Sequence, residues 1–301
     1  MTVYNGCKYL LQMLDSLRNQ TRNIDEVLIF DDKSTDASKT LVQNYISEYQ
    51  LTNWKLIINN NNQGWEKNYT NGISAATGDI IFPCDQDDIW HLDKIEEMAD
   101  AFENNEDILL LVSGYHAFSE NGGKMVVQQN VRTETKEIIS RVVFDEKYYQ
   151  ICRPGCTMAF LREIMPIFKE LWKEGTQHDA LLWTIASIQH RLYLHRGTFI
   201  EYRRHDSNAS KSISHGYKYK INEIERTMLV NNWYLNTFST AYEKKKLIEQ
   251  CTQWCIYRRK LIVDKKLFYW FKLCPLRKYY LKPQKYYGDI YYFIQKREKN
   301  K

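Results

Sequence analysis

The chain is poor in residues that punctuate or staple a fold: 5 Pro, 12 Gly and 7 Cys among 301 residues. That is too little Pro and Gly for a collagen-like or low-complexity chain. An odd number of thiols, with no charged segment followed by an apolar one at the start, argues against a secreted disulfide scaffold and for free cysteines in a reducing cytoplasm. The C-x3-C pairs Cys152/Cys156 and Cys251/Cys255 lack a His pair at finger-like spacing, so they read as helix-spaced core thiols and not as zinc ligands. No apolar run approaches the ~18–20 residues of a membrane-spanning helix; the longest obvious one is Ile108 to Val112. Also missing are G-x-G-x-x-G and G-x-x-x-x-G-K-[ST], the glycine-rich turns that cradle phosphates on backbone N–H groups. A nucleotide bound here would be held by carboxylates and a metal.

What is present is a core-forming composition, 44% hydrophobic with 22 Tyr, 12 Phe and 8 Trp. Charge is unevenly placed. Residues 1–215 carry 22 basic and 30 acidic side chains, whereas residues 216–301 carry 20 and 7 together with 19 aromatics. Such a tail suits an anionic surface, a membrane leaflet or nucleic acid, and equally a helical cap with a buried aromatic stripe.

Apolar residues at Tyr9, Leu10, Met13, Leu14 and Leu17 predict a helix over Lys8 to Asn19, followed by a strand at Val27 to Phe30. Ser34 or Asp36 then caps a helix through Leu41, Tyr45 and Ile46. A strand at Trp54 to Ile58, a turn around Gly64, a helix over Tyr69 to Ala76 and a strand at Asp79 to Phe82 complete a β-α-β-α-β alternation. The pattern predicts a largely parallel sheet wound by helices, with ligands beyond the carboxyl ends of its strands. Two acidic clusters fall at that edge, Asp31-Asp32 and Asp85-Gln86-Asp87-Asp88. Carboxylates so dense repel one another unless compensated; a divalent metal answers the second cluster, and so does an acidic loop of capping aspartates.

A set of short motifs recurs in a telling order: Thr2-Val3-Tyr4-Asn5-Gly6 with Lys8-Tyr9-Leu10, Gln20-Thr21, Asp31-Asp32-x-Ser34-Thr35-Asp36, Asn62-x-Gly64 with Asn68, Gly78-Asp79, Asp85 to Trp90, and Asp93-Lys94. Further on come Gly155 to Phe160, His178-Asp179 and Tyr202-Arg203-Arg204-His205. Over about residues 1–215 this set resembles the inverting family 2 glycosyltransferases of GT-A fold, in particular bacterial rhamnosyltransferase-like members that build surface polysaccharide.

The resemblance implies an α/β fold with a mostly parallel central sheet flanked by helices. It divides the chain into a nucleotide-sugar-binding half at 1–105, an acceptor-binding half at 106–215 and a helical basic and aromatic region at 216–301. It implies transfer of a sugar, rhamnose among the candidates, from a UDP- or dTDP-linked donor to a glycan or polyprenyl-linked acceptor. The enzyme would be cytoplasmic and peripheral at the inner face of the cell membrane, with an anionic membrane surface and no nucleic acid among its partners.

Residue by residue, the D-x-D motif falls on Asp85-Gln86-Asp87, with Asp87 as ligand of Mg²⁺ or Mn²⁺ and Asp85 near the ribose. Thr2, Tyr4 and Asp32 match positions around the nucleotide, Asp32 accepting from a uracil- or thymine-like imide N–H, and Lys67 lies where a basic contact fits. Asp179 matches the general base, although a helix-capping Asp179 is the structural alternative. His205 resembles a loop residue that reaches the metal or diphosphate, with Arg203 and Arg204 adding charge; the alternative for all three is a surface basic turn. Gly155 and Cys156 fall beneath the acceptor sugar, and His178 shapes the site. Trp90 and Trp183 either stack on a sugar or pack in the core.

Two other readings stay open: a catalytically silent sugar-nucleotide binder, and a nucleic-acid-binding protein, opposed by the net acidity of residues 1–215. The family also has an apolar strand ahead of its T-x-Y-N motif, central in the sheet, whereas here Met1 directly precedes Thr2. The expectation is a reading frame that extends upstream, or a shortened relative with bare strand edges beside the gap.

Overall fold

Helix α1 (Cys7–Arg18) buries Tyr9, Leu10, Met13, Leu14 and Leu17, the five positions whose spacing predicts it. Leu10, Met13 and Leu14 are fully shielded from solvent, which stabilises the fold by about 1.5–3 kcal/mol per side chain. The computed structural model describes residues 1–119, 129–205, 216–282 and 284–294. It divides into two units, Met1–Val143 with Ile151–Ser212, and Phe144–Gln150 with Ile213–Lys301.

In the first unit, β1 (Thr2–Val3), β2 (Val27–Asp31) and β3 (Trp54–Ile58) form a parallel sheet in which Thr2 lies opposite Phe30 and Val27 opposite Trp54. Helices α1 and α2 (Ser38–Glu48) make the crossovers, and α3 (Trp65–Ala75) leads from β3 to the second sheet. The chain continues through β4 (Ile80–Ile81), β5 (Ile89–Trp90), α4 (Lys94–Asn104), β6 (Leu110–Ser119), β7 (Ile139–Arg141), β8 (Met158–Leu161), α5 (Met165–Leu171), α6 (His178–Ile188) and β9 (Leu192–Arg204). These strands form a second sheet in the order β4-β8-β6-β9-β5, with β7 also on β9. Only β6 and β9 are parallel there; the other pairs are antiparallel.

Three local expectations are corrected. Helix α3 starts at Trp65 instead of Tyr69, because Gly64, at φ +84°, turns the chain into a first turn too polar to register as amphipathic. Neither Ser34 nor Asp36 caps α2, whose N-cap is Ala37. Ser34 Oγ instead accepts from the Asn5 N–H, and Asp36 accepts from the N–H groups of Ser38 and Cys7. Asp179 is not the N-cap of α6, which begins at His178 with Gln177 as its N-cap; from inside the first turn its Oδ1 accepts from the Ala180 N–H at 2.7 Å.

Val27 and Leu28 on one side and Ile80, Ile81 and Phe82 on the other line a cavity of about 470 Å³. The Met1 ammonium, whose pKa burial lowers, lies at this cavity and donates to the Leu28 carbonyl at 2.8 Å.

The second unit is helical: α7 (Tyr217–Thr237), α8 (Tyr242–Ile262), α9 (Phe268–Leu273) and α10 (Lys285–Ile294). Residue 283 and residues 295–301 of the expected helical tail lie outside the described residues. The core is apolar at Ile224, Val230, Ile248, Trp254 and Leu261, yet Arg258 is buried within it. Arg258 donates to both carboxylate oxygens of Asp289, at 2.8 and 3.0 Å, and to Glu223 at 3.1 Å. Tyr280 donates to the same Asp289 at 2.6 Å. Arg258 and Tyr280 are therefore core groups, not surface ones.

Candidate active site

Two loops at the carboxyl ends of β1 and β2 are interlocked by side chains. Asn5 takes a left-handed φ of +49°, a conformation Asn tolerates better than most residues. Its N–H donates to Ser34 Oγ at 2.9 Å and its Oδ1 accepts from the Thr35 N–H at 2.8 Å. The Tyr4 N–H donates to Gln86 Oε1 at 2.8 Å, and Gln86 Nε2 returns a bond to the Tyr4 carbonyl. The middle residue of D-x-D thus clamps the first loop to the acidic one. Asp32 is buried and accepts from Asn59 Nδ2 and from the N–H groups of Gln63 and Gly64. It anchors the turn at 59–64, and Oδ2, with one of those three bonds, retains capacity for a further donor.

The acidic loop after β4 gathers the strongest electrostatics. Asp85 Oδ1 accepts from the Tyr69 hydroxyl at 2.5 Å. Burial, then the charge of Asp87, pushes the Asp85 pKa up to about 6, with the Tyr69 bond opposing and Asp179 adding to the rise. Asp88 is fully buried, accepts from the Arg203 N–H at 3.0 Å, and is held well above the carboxylate range by burial and by Asp85 and Asp87. Asp87 Oδ2 meets His205 Nε2 at 2.8 Å, with their side chains 13% and 10% exposed.

Arg203 is no part of a surface turn. It is buried, donating through Nε to the Asp87 carbonyl at 2.9 Å and through Nη2 to Gln12 at 2.5 Å. It fixes the loop from within, while the partly buried Arg204 lies against Tyr202.

On the other side, Gly155–Thr157 forms a 3₁₀ turn ahead of β8. A Cβ placed on Gly155 would lie 2.8 Å from His178 Nε2 and 3.2 Å from Asp179 Cβ, so only glycine allows this approach. His178 is buried, which lowers its pKa and keeps the imidazole neutral, and it stacks on Tyr69 at 4.1 Å. Tyr69 thereby joins the D-x-D carboxylate to the base of α6.

The structure therefore brings together Asp85, Asp87, His205, Gly155, Cys156 and Asp179. Thr2 lies in β1, its N–H directed to the Cys84 carbonyl at 3.3 Å. Lys67 is exposed on the first turn of α3. Trp90 and Trp183 are buried core residues.

Sequence reasoning missed Tyr69 and the role of Lys94. The Lys94 ammonium is buried, donates to the Cys156 carbonyl at 2.8 Å, and lies 3.3 Å from the Trp90 ring centroid. Burial lowers its pKa to about 7. Asp93-Lys94 was visible as a motif, but nothing local distinguishes a buried lysine from a solvated one.

The donor set fits a hard divalent cation. Asp87 would offer such an ion a carboxylate oxygen and His205 an imidazole nitrogen. Ligand atoms of Asp85, Asp88 and Cys156 also lie within 4.8 Å of one another. Burial raises the Cys156 pKa well above the usual thiol value, so its sulfur stays protonated and is a poor donor to such an ion.

A sheet-and-helix scaffold with an acidic D-x-D loop at its carboxyl edge is that of a GT-A glycosyltransferase. Residues 1–167 match the model of Glycosyl transferase family 2, and the chain belongs to that family. It is 30% identical over 252 residues to the dTDP-rhamnosyl transferase RfbG of Shigella flexneri, covering 78% of this chain and 80% of the relative. Among solved structures it is similar to S. aureus TarS 1-349 in complex with UDP-GlcNAc, with a TM-score of 0.64 and 18% identity over 98% of this chain and 79% of that one. It is also similar to the mannosyltransferase PcManGT of Pyrobaculum calidifontis in complex with GDP-Man and Mn²⁺, with a TM-score of 0.53 and 12% identity over 97% and 83%. Among the described residues no helix is long and apolar enough to cross a membrane.

Proposed function

We propose that this glycosyltransferase moves a sugar from a UDP- or dTDP-linked donor to a glycan acceptor, with inversion and with dependence on Mg²⁺ or Mn²⁺. The observation that carries the reading is the meeting of Asp87 and His205, 118 positions apart, with Asp85 close enough to feel the charges of both Asp87 and Asp179. A cation held there supplies charge neutralisation for the departing diphosphate.

Asp179 accepts the proton of the acceptor hydroxyl as that oxygen bonds to the anomeric carbon. The carbon–oxygen bond to the diphosphate breaks on the opposite face, and its electron pair leaves with the phosphate. Asp85, oriented by Tyr69, faces the nucleotide's ribose, and Asp32 receives the imide N–H of the base. Residues 1–105 form the donor half and 106–215 the acceptor half.

The dTDP-rhamnosyl transferase RfbG makes dTDP-rhamnose the first donor to test. The acceptor is a growing surface polysaccharide, carried on polyprenyl lipid at the inner face of the cell membrane.

Titration calorimetry of UDP and dTDP donors with and without Mn²⁺ tests the site. Wild type should bind only with the metal, and Asp87→Asn should lose that binding while melting normally, because an amide cannot replace an anionic ligand. Undiminished binding by the variant removes the assignment. Metal-dependent binding that never leads to turnover with any acceptor identifies a silent relative.

A further inference from the structure

In the second unit, α9 and α10 share an aromatic seam and turn a second set of large side chains outward. Trp270 stacks on Tyr286 at 5.0 Å and touches Phe271 at 5.3 Å and Tyr287 at 6.4 Å. Tyr286 and Asp289 are buried on the inner side of α10. On the outer side Tyr287, Tyr291 and Ile294, spaced i, i+4, i+7, are 60%, 61% and 71% exposed. Phe268 and Phe271 of α9 are 62% and 63% exposed, with Lys272 5.4 Å over the Phe268 ring.

The charge around this face has one sign. Residues 265–294 hold seven Lys and Arg and a single acid, Asp289. That acid is buried and used by Arg258. Lys278 pairs with Glu146 and Lys265 donates to the last carbonyls of α10. Lys266, Lys272, Arg277, Lys282 and Lys285 stand exposed.

We propose that the α9–α10 face docks on an anionic lipid bilayer, with Phe268, Phe271, Tyr287 and Ile294 entering the headgroup boundary and the exposed lysines meeting lipid phosphates. Aliphatic tips such as Ile294 and Leu267 favour acyl chains over stacked bases, and a second copy of so basic a face would be repelled. The inference deepens the reading above by naming the surface on which a lipid-linked acceptor is met, but its test does not depend on the sugar chemistry.

The full chain is sedimented with vesicles of phosphatidylcholine alone and of phosphatidylcholine with phosphatidylglycerol, at low and high salt. Binding is expected on the anionic vesicles only, and should fall as salt rises. Replacing Lys266, Lys272 and Lys285 by Gln should weaken it roughly 100-fold, at about 1 kcal/mol per charge near the surface. Phe271→Ser with Tyr287→Ser and Ile294→Ser should abolish it, while Mn²⁺-dependent nucleotide binding stays at the wild-type level in both variants. Should the apolar variant melt early, the lysine variant decides. Equal binding to neutral vesicles, no binding to either, unaltered binding by the lysine variant, preferential capture of an oligonucleotide, or a dimer dissolved by the same substitutions would each overturn the proposal. Failure of nucleotide binding beside intact vesicle binding would instead count against the transferase site alone.

Discussion

Replacing Gly155 by Ala tests the site at its tightest point. The added methyl would sit 2.8 Å from His178 Nε2, whereas ordinary contact begins near 3.4 Å, so something must move by roughly 0.6 Å. His178 cannot yield outward, since it is buried and stacked at 4.1 Å on Tyr69, which is itself bonded to Asp85. The displacement passes instead into the first turn of α6 and carries Asp179 with it. Overpacking of this kind costs about 1–3 kcal/mol of stability. A misplacement approaching 1 Å at a reacting group costs up to about 100-fold in rate. The expected outcome is a folded variant with a slightly lower melting temperature, donor affinity close to wild type, and transfer reduced about 10- to 100-fold in kcat. Calorimetry for the donor and a coupled assay for released nucleoside diphosphate measure the two separately. Full transfer activity in a stably folded variant would show that Asp179 does not need this packing and would sink the argument.

Asp179→Asn should leave donor affinity near wild type and cut transfer at least about 100-fold; donor binding and transfer falling together would mark Asp179 as structural. Glu223 resists ionisation through burial, but Lys220 and Arg258 outweigh that and lower its pKa to about 2 from 4.5. Its contribution, about 3 kcal/mol, is complete above the unfolded value near pH 4.5 and drains away as pH falls toward 2; acid unfolding of Glu223→Gln against wild type reads it, and identical profiles refute it. Arg258→Met takes the guanidinium from the buried Asp289 and should cost about 3–5 kcal/mol in urea unfolding, a loss below about 1 kcal/mol showing that the pair is not truly buried. Adding about five β-branched residues ahead of Met1 should fill the cavity between Leu28 and Ile81 as a strand and raise the melting temperature, and an unchanged melt would mean that the cavity does not accept one.

Elements with a strong apolar period were readable directly: α1, β2 and β3 fall where Tyr9 to Leu17, Val27 to Phe30 and Trp54 to Ile58 put them. In the second sheet β4 falls within the strand expected at Asp79 to Phe82, but β5, two residues long, carries no period to read. The acidic loop was legible because like charges packed together demand an explanation. Its supports were not. Lys94 and Arg258 look like ordinary surface cations in one dimension, and the acids that bury Arg258 lie 31 and 35 residues away. Composition likewise cannot separate the tail's inward aromatics, such as Tyr279 and Tyr280, from its outward ones, such as Phe268 and Phe271.

The meeting of Asp87 with His205 also has a mechanical side. The two residues close a loop of 118 positions that includes most of the second sheet. A cation bound between them would act as a clasp: binding the folded chain alone, it would add by mass action about 2.7 kcal/mol at a hundred times its dissociation constant. Loaded and empty enzyme would then differ in resistance to a protease before any sugar is transferred.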